Sequence, residues 1–175
     1  MISNCGHDEN GNYSGGKAGD QTSKEYAVIK WYNRPWNVVL RYPDETIAND
    51  IAAVAKAAAK NDNIGYDQKD RLTFYNALKA ANWKVKNIKT KCEADCSAST
   101  SAVIIAVGHR QGVKALQKIS PSNTTSSLRK ALAAAGFEEL TKKKYTESPD
   151  YLLPGDILLY EGHHVAVNLT KGKKA

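Results

Sequence analysis

Ala94-Asp95-Cys96-Ser97-Ala98-Ser99-Thr100-Ser101-Ala102-Val103-Ile104-Ile105-Ala106-Val107 is the stretch on which the reading of this chain turns. A small, apolar run behind a polar start predicts a buried helix that opens at Cys96 and ends near Gly108. A thiol at a helix N-terminus feels unpaired N–H groups and the positive end of the helix dipole. Both favour thiolate over thiol, so the position makes Cys96 a candidate nucleophile without help from a metal. Cys92, in Lys91-Cys92-Glu93, and Cys5 are better candidates for inert thiols.

Downstream, Leu153-Pro154-Gly155-Asp156-Ile157-Leu158-Leu159-Tyr160 leads through Glu161-Gly162 into His163-His164-Val165-Ala166-Val167. This predicts a turn, a strand, a tight turn and a second strand. In His164-Val165-Ala166-Val167-Asn168-Leu169 the residues Val165, Val167 and Leu169 make the apolar face, so His164 projects to the less apolar side, where a general base belongs. A cysteine–histidine pair generally needs a third group to orient the imidazole. Asn168 shares the face of His164 but lies four strand residues away, about 13 Å, too far for a hydrogen bond. The orienting group is therefore expected from a neighbouring strand or a backbone carbonyl.

The rest of the chain is read outward from these two motifs. Residues 1–25 carry turn signals at Asn10-Gly11 and Gly15-Gly16 and are expected to be ordered loop. Tyr26 to Tyr32 and Val38 to Tyr42 read as two short strands around an Arg34-Pro35-Trp36 turn. Asp44 is a candidate N-cap for an alanine-rich helix over 45–60, and further helices are predicted over 68–83 and 125–135. The last forty residues return to strand periodicity, so the class is α+β. At 175 residues the chain is expected to be a single domain, 1–175.

The formal charge of +7, from 25 Lys+Arg against 18 Asp+Glu, favours polyanionic partners: nucleic acid, an anionic wall polymer or an anionic membrane face. Three cysteines form no disulfide framework and no secretory segment follows Met1, so synthesis in a reducing cytosol is expected. No apolar stretch reaches the length of a membrane span. Asp8, Asn10 and Asn12 place oxygens at alternate positions, with Asp20 downstream, and form a candidate Ca2+ loop, but Tyr13 stands where the loop glycine belongs, and a solvated turn is the ordinary reading. A zinc site from Cys92, Cys96 and His163-His164 is the metal alternative, without a second ligand pair of ordinary spacing.

The Asp95-Cys96-Ser97, Pro154-to-Tyr160 and His164-Val165-Ala166-Val167 blocks, in that order, resemble the NlpC-like and CHAP cysteine peptidases that cut bacterial peptidoglycan. Asp8-Glu9-Asn10-Gly11, Gly15 to Thr22, Trp31 to Asn37, Asn63 to Gln68 and Cys92 to Ser97 resemble the catalytic domains of phage endolysins from Gram-positive hosts, so the resemblance spans nearly the whole chain. It implies a papain-like domain with N-terminal helices packed on a small antiparallel sheet. It also implies Cys96 as nucleophile, His164 as base and Tyr66 beside the nucleophile to help hold the oxyanion. The chain departs from the pattern in two places: no polar residue on a strand after the histidine matches the usual third member, and Ala98 stands where NlpC-like enzymes commonly have glycine. The expected activity is hydrolysis of a wall-peptide amide, as an endopeptidase, with N-acetylmuramoyl-L-alanine amidase action by the same pair as the alternative. No cofactor is required by such chemistry. The expected partners are peptidoglycan and anionic wall polymers, with neither nucleic acid nor membrane insertion. The expected setting is synthesis in the host cytoplasm followed by release to the wall through a separate pore. After Lys171-Gly172-Lys173-Lys174-Ala175 either the domain closes or a wall-binding module follows. Rival readings from other classes are a nucleic-acid binder stacking bases on Trp31, Tyr32 and Trp36, and a wall-binding module without chemistry.

Overall fold

Asp44 opens the first long helix as its residue type predicts: Oδ1 accepts from the Ile47 amide at 3.1 Å. The computed structural model describes residues 1–175, and in chain order its elements are β1 (Ile2–Cys5), β2 (Tyr26–Ile29), β3 (Val38–Arg41), α1 (Glu45–Ala59), β4 (Ile64–Tyr66), α2 (Thr73–Ala80), β5 (Cys92–Ala94), α3 (Cys96–Gln111), α4 (Lys114–Gln117), α5 (Leu128–Ala134), β6 (Glu138–Leu140), α6 (Lys143–Thr146), β7 (Ile157–Tyr160) and β8 (His164–Asn168), with a 3-10 turn at Val85–Asn87. The class is α+β, as predicted. Six strands form one sheet in the order β2-β1-β8-β7-β3-β6, every neighbour antiparallel, and β4 and β5 form a separate parallel pair.

Strand alternation sorts the sheet's side chains onto two faces. Val38, Leu40, Ile157, Leu159, Val165 and Val167 join the main core with α1 and α3. Ile2, Val39, Leu158 and Ala166 look the other way and pack with Trp36 and Leu152. Helix α3 is buried from Cys96 through Gly108. Its serines and alanines are short enough for other elements to close around it. At its end, a Cβ on Gly108 would stand 2.7 Å from the Gln117 amide and 2.8 Å from the Leu116 Cβ, so glycine is what admits α4. Gly155, with φ +88°, does the same for α1: a side chain there would run into the Ala48 carbonyl.

Four expectations are corrected. Residues 1–25 are not all loop, because Ile2–Cys5 forms β1 between β2 and β8. The strands expected around the Arg34-Pro35-Trp36 turn do not face each other: β2 pairs with β1 at one edge, while β3 lies between β7 and β6. The helix expected over 68–83 is confined to Thr73–Ala80; Asp67 Oδ1 takes the Lys69 amide at 2.7 Å, and Asn82 and Trp83 have φ of +54° and +64°, which stops the helix. Helix α5 begins at Leu128 rather than near 125. The Pro154-Gly155-Asp156 block is structural: Asp156, 1% exposed, receives Arg41 Nε at 2.8 Å, Arg41 Nη2 at 2.6 Å and the Leu153 amide at 2.8 Å. No helix is long and apolar enough to cross a membrane.

Candidate functional site

Cys96 stands at the first position of α3 because Asp95 caps that helix, accepting from the Ala98 amide at 2.9 Å. The cap is itself anchored. Arg71 donates to Asp95 Oδ2 at 2.6 Å, to Ser97 Oγ at 3.1 Å and to the Asn123 carbonyl at 2.7 Å, so one guanidinium fixes the residues on both sides of the sulfur. Cys96 is 8% exposed. Burial, seconded by the Asp95 carboxylate, pushes its thiol up to about 11, against the amides of Val165, Ser97 and Cys96 itself, which favour the thiolate. The helix-start position alone therefore does not make a resting thiolate. Desolvation wins, and at neutral pH the sulfur carries its proton.

The ladder between β1 and β8 pairs Ile2 with Asn168 and Ser3 with Val167 and goes no further. Beyond it the Val165 amide faces the Cys96 sulfur, which brings the start of β8 and the start of α3 to one junction. His164 immediately precedes that amide. Its ring lies on the sheet face of Ala166, beside Trp36 with ring centroids 6.0 Å apart, and is 7% exposed. Nε2 is 2.7 Å from Asn4 Oδ1. A carbonyl oxygen only accepts, so Nε2 carries the proton and Nδ1 of the neutral ring holds the free lone pair. Burial, and then the charge of Arg34, pull His164 down to about 4, so the ring is neutral at pH 7. Its ring is bonded to Asn4, not to the sulfur, and the resting pair is neutral thiol and neutral imidazole.

Asn4 is the residue that sequence reasoning missed. An orienting group is expected from a neighbouring strand; the residue bonded to His164 lies on β1, a segment, Ile2-Ser3-Asn4-Cys5, that bears no strong β signal. Asn168 is elsewhere engaged, donating to the Leu153 carbonyl at 2.8 Å and the Thr170 carbonyl at 2.7 Å. His163 is exposed and stacks on Tyr160, centroids 4.1 Å apart, whereas His164 is buried and bonded to Asn4.

Tyr66, on β4, is buried beside Cys96 closely enough that a charge on the sulfur raises its hydroxyl, although burial is the larger cause. The hydroxyl accepts from Gln68 Nε2 at 3.0 Å, which leaves its own hydrogen available to a further acceptor. Cys92 and Cys5 are both buried; burial pushes Cys92 up to about 12 and raises Cys5 well above the usual thiol range, and Cys5 Sγ donates to the Ala94 carbonyl at 3.5 Å.

The candidate metal residues are differently engaged. Asp8 Oδ1 accepts the Asn10 and Asn12 amides, each at 2.8 Å, so the Asp8-to-Asn12 segment closes on itself as a turn. Asp20 accepts from the amides of Thr22, Lys24 and Tyr26. No three His, Cys, Asp or Glu side chains converge as a metal-binding group, the Cys92, Cys96 and His163-His164 set included. Trp36, 4% exposed, is part of the core beside His164.

A cleft of about 460 Å³ lined by Arg34, Trp36, Asn37 and Glu147 lies on the His164 side of the sheet. A second, of about 630 Å³, is lined by Trp83 and His109. His109 is thirteen residues along α3 from Cys96, roughly 20 Å at 1.5 Å per residue, so that cleft is remote from the thiol. No curated protein and no solved structure is similar to this chain. The model of one family, described as the endolysin-like domain, matches residues 2–175, and the chain belongs to that family.

Proposed function

We propose that this endolysin-like domain is a phage cell-wall hydrolase that cleaves an amide of the peptidoglycan peptide, with Cys96 as nucleophile, His164 as acid and base, and Asn4 orienting the imidazole. The observation that carries the reading is the 2.7 Å bond from His164 Nε2 to Asn4 Oδ1, which reserves Nδ1 as a base on the strand that meets Cys96. With both groups neutral at rest, attack is coupled to proton transfer: Nδ1 takes the thiol proton as sulfur bonds to the amide carbon. The sulfur first turns from the Val165 amide toward the ring, a tightening that catalytic contacts commonly undergo when substrate binds. The oxyanion is served by the Tyr66 hydroxyl and by amides at the start of α3. Collapse breaks the C–N bond, and the imidazolium returns its proton to the leaving amine. Water, deprotonated by His164, then splits the thioester to a carboxylate and restores the thiol.

These roles, the papain-like architecture and the preference for endopeptidase over amidase action are supported by the resemblance of the cysteine and histidine motifs. The reaction needs no cofactor. The +7 charge suits capture by anionic wall polymers, and synthesis in the host cytoplasm with release through a separate pore suits the three free thiols. Mass spectrometry of digested peptidoglycan tests the reading. New amino and carboxyl termini within the stem peptide are expected from the parent protein and absent with Cys96→Ser. A free lactyl group on muramic acid would instead identify an amidase, and unchanged muropeptides would refute hydrolysis.

A further inference from the structure

The chain has five arginines, and four are committed to carboxylates: Arg41 to Asp156, Arg71 to Asp95, Arg110 to Asp50, and Arg129 to Glu139 and Glu161. Arg34 is the exception. It is half-buried, its guanidinium makes no hydrogen bond or ion pair within the protein, and it lies over the Tyr160 ring at 5.7 Å. Tyr160 is the cross-strand partner of His164. Trp36, two residues from Arg34 and held by a bond from its amide to the Arg34 carbonyl at 2.5 Å, packs against the His164 ring. Arg34 and Trp36 thus both lie near His164, and both line the 460 Å³ cleft. The one carboxylate in that cleft, Glu147, pairs with Lys143 at 3.7 Å rather than with Arg34.

A guanidinium offers five donors in a rigid fork that matches a carboxylate, and stacking on an aromatic ring fixes its plane without consuming those donors. Leaving it unpaired is unfavourable at rest, since its charge opposes protonation of His164, the group proposed to accept the thiol proton. A ligand carboxylate would neutralise that charge while the site is occupied.

Resting on the hydrolase reading above, we infer that Arg34 is a substrate-binding residue that takes a free carboxylate of the peptide close to the scissile amide, so that the site selects acid over amidated substrates. The carboxylate could be a C-terminal one or an α-carboxylate left free by a side-chain-linked residue, and both offer the same two oxygens.

The test separates this inference from the hydrolase reading by measuring binding without turnover. Cys96→Ser protein is titrated calorimetrically with four synthetic wall peptides: the C-terminal acid, its amide, the internal α-carboxylate and its amide. At least one acid is expected to bind 10- to 100-fold tighter than its amide, and the pair that shows the difference names the source of the carboxylate. In Cys96→Ser/Arg34→Gln the acid should fall to within twofold of the amide, while Cys96→Ser/Arg34→Lys, which keeps the charge but not the fork, should retain a reduced preference. Equal binding of acids and amides by Cys96→Ser, or an undiminished preference after Arg34→Gln, would overturn the inference. Loss of lytic activity by the parent protein with the acid preference intact would instead count against the hydrolase reading alone.

Discussion

His164 is defined by what it does not touch. Its proton is fixed on Nε2 by Asn4, so the basic nitrogen is the one left open. Asn4→Ala removes the acceptor and lets the ring change tautomer and turn. Steady-state kinetics on soluble muropeptides should show kcat lowered by about 10²-fold with KM within twofold, since the loss falls on general-base catalysis. An equal loss through KM would make Asn4 a substrate contact instead. The sign of the pH dependence follows from the two titrating groups. His164 is lowered to about 4 and must be neutral to accept a proton, so kcat/KM should hold as pH falls from 7 to 5 and decline only toward 4. Cys96, raised to about 11, adds no limb between 5 and 9. Alkylation of Cys96 by iodoacetamide should accordingly be slow below neutral pH, contrary to what its helix-start position suggests taken alone. Cys96 and His164 stand out in the sequence because each sits in a local motif: a polar start to a buried helix, and a turn before an alternating strand. Asn4 does not, because only the insertion of β1 between β2 and β8 brings a residue near the N-terminus against one 160 positions later.

At the level of elements, the start of α3 is held by a side chain from the segment before α2. Arg71 bonds Asp95, Ser97 and the Asn123 carbonyl, linking three separate stretches of chain at the sulfur's side. Arg71→Ala would leave Asp95 without its counter-charge and the Asn123 carbonyl without that donor. Urea unfolding should show a loss of about 2 kcal/mol, and activity should fall by more than the unfolded fraction explains. A neutral outcome in both would mean that the cap holds by itself. The same residue explains why α2 was over-extended in the sequence reading. The segment before Thr73 has the composition of a helix, but Asp67 closes a local turn on the Lys69 amide and Arg71 is engaged in tertiary bonds, which override a weak propensity. Helix α1 was predicted nearly to the residue and α3 at its start, where capping and burial agree, while α3 runs past Gly108 to Gln111.

Across the whole molecule, stability should respond to two buried groups with opposite signs. Glu93 is 2% exposed, with Oε2 unpaired; burial, then the charge of Glu25, push it up to about 8. The folded state holds its proton between the ordinary carboxyl range and pH 8, so that contribution is lost as pH rises to 8. His164 is lowered, so its contribution is lost as pH falls from the usual histidine value toward 4. Between about 6.5 and 8 His164 no longer contributes to the pH dependence, and Glu93 acts. Thermal unfolding should therefore show Tm falling across that interval in the parent and nearly flat in Glu93→Gln, with a difference of about 1 to 2 kcal/mol at pH 8. Parallel curves would show that Glu93 is already ionised at pH 6.5. The charge of +7 and the α+β class were readable from composition and periodicity, whereas the strand order β2-β1-β8-β7-β3-β6 was not, since it depends on long-range pairing that no local pattern encodes.

The Cys96 sulfur is the proposed bond-forming atom, and the rate of wall clearing by Cys96→Ser against the parent, at equal concentration and with matched unfolding curves, tests this most directly. A fall of about 10³-fold or more is predicted; clearing at the parental rate would contradict it.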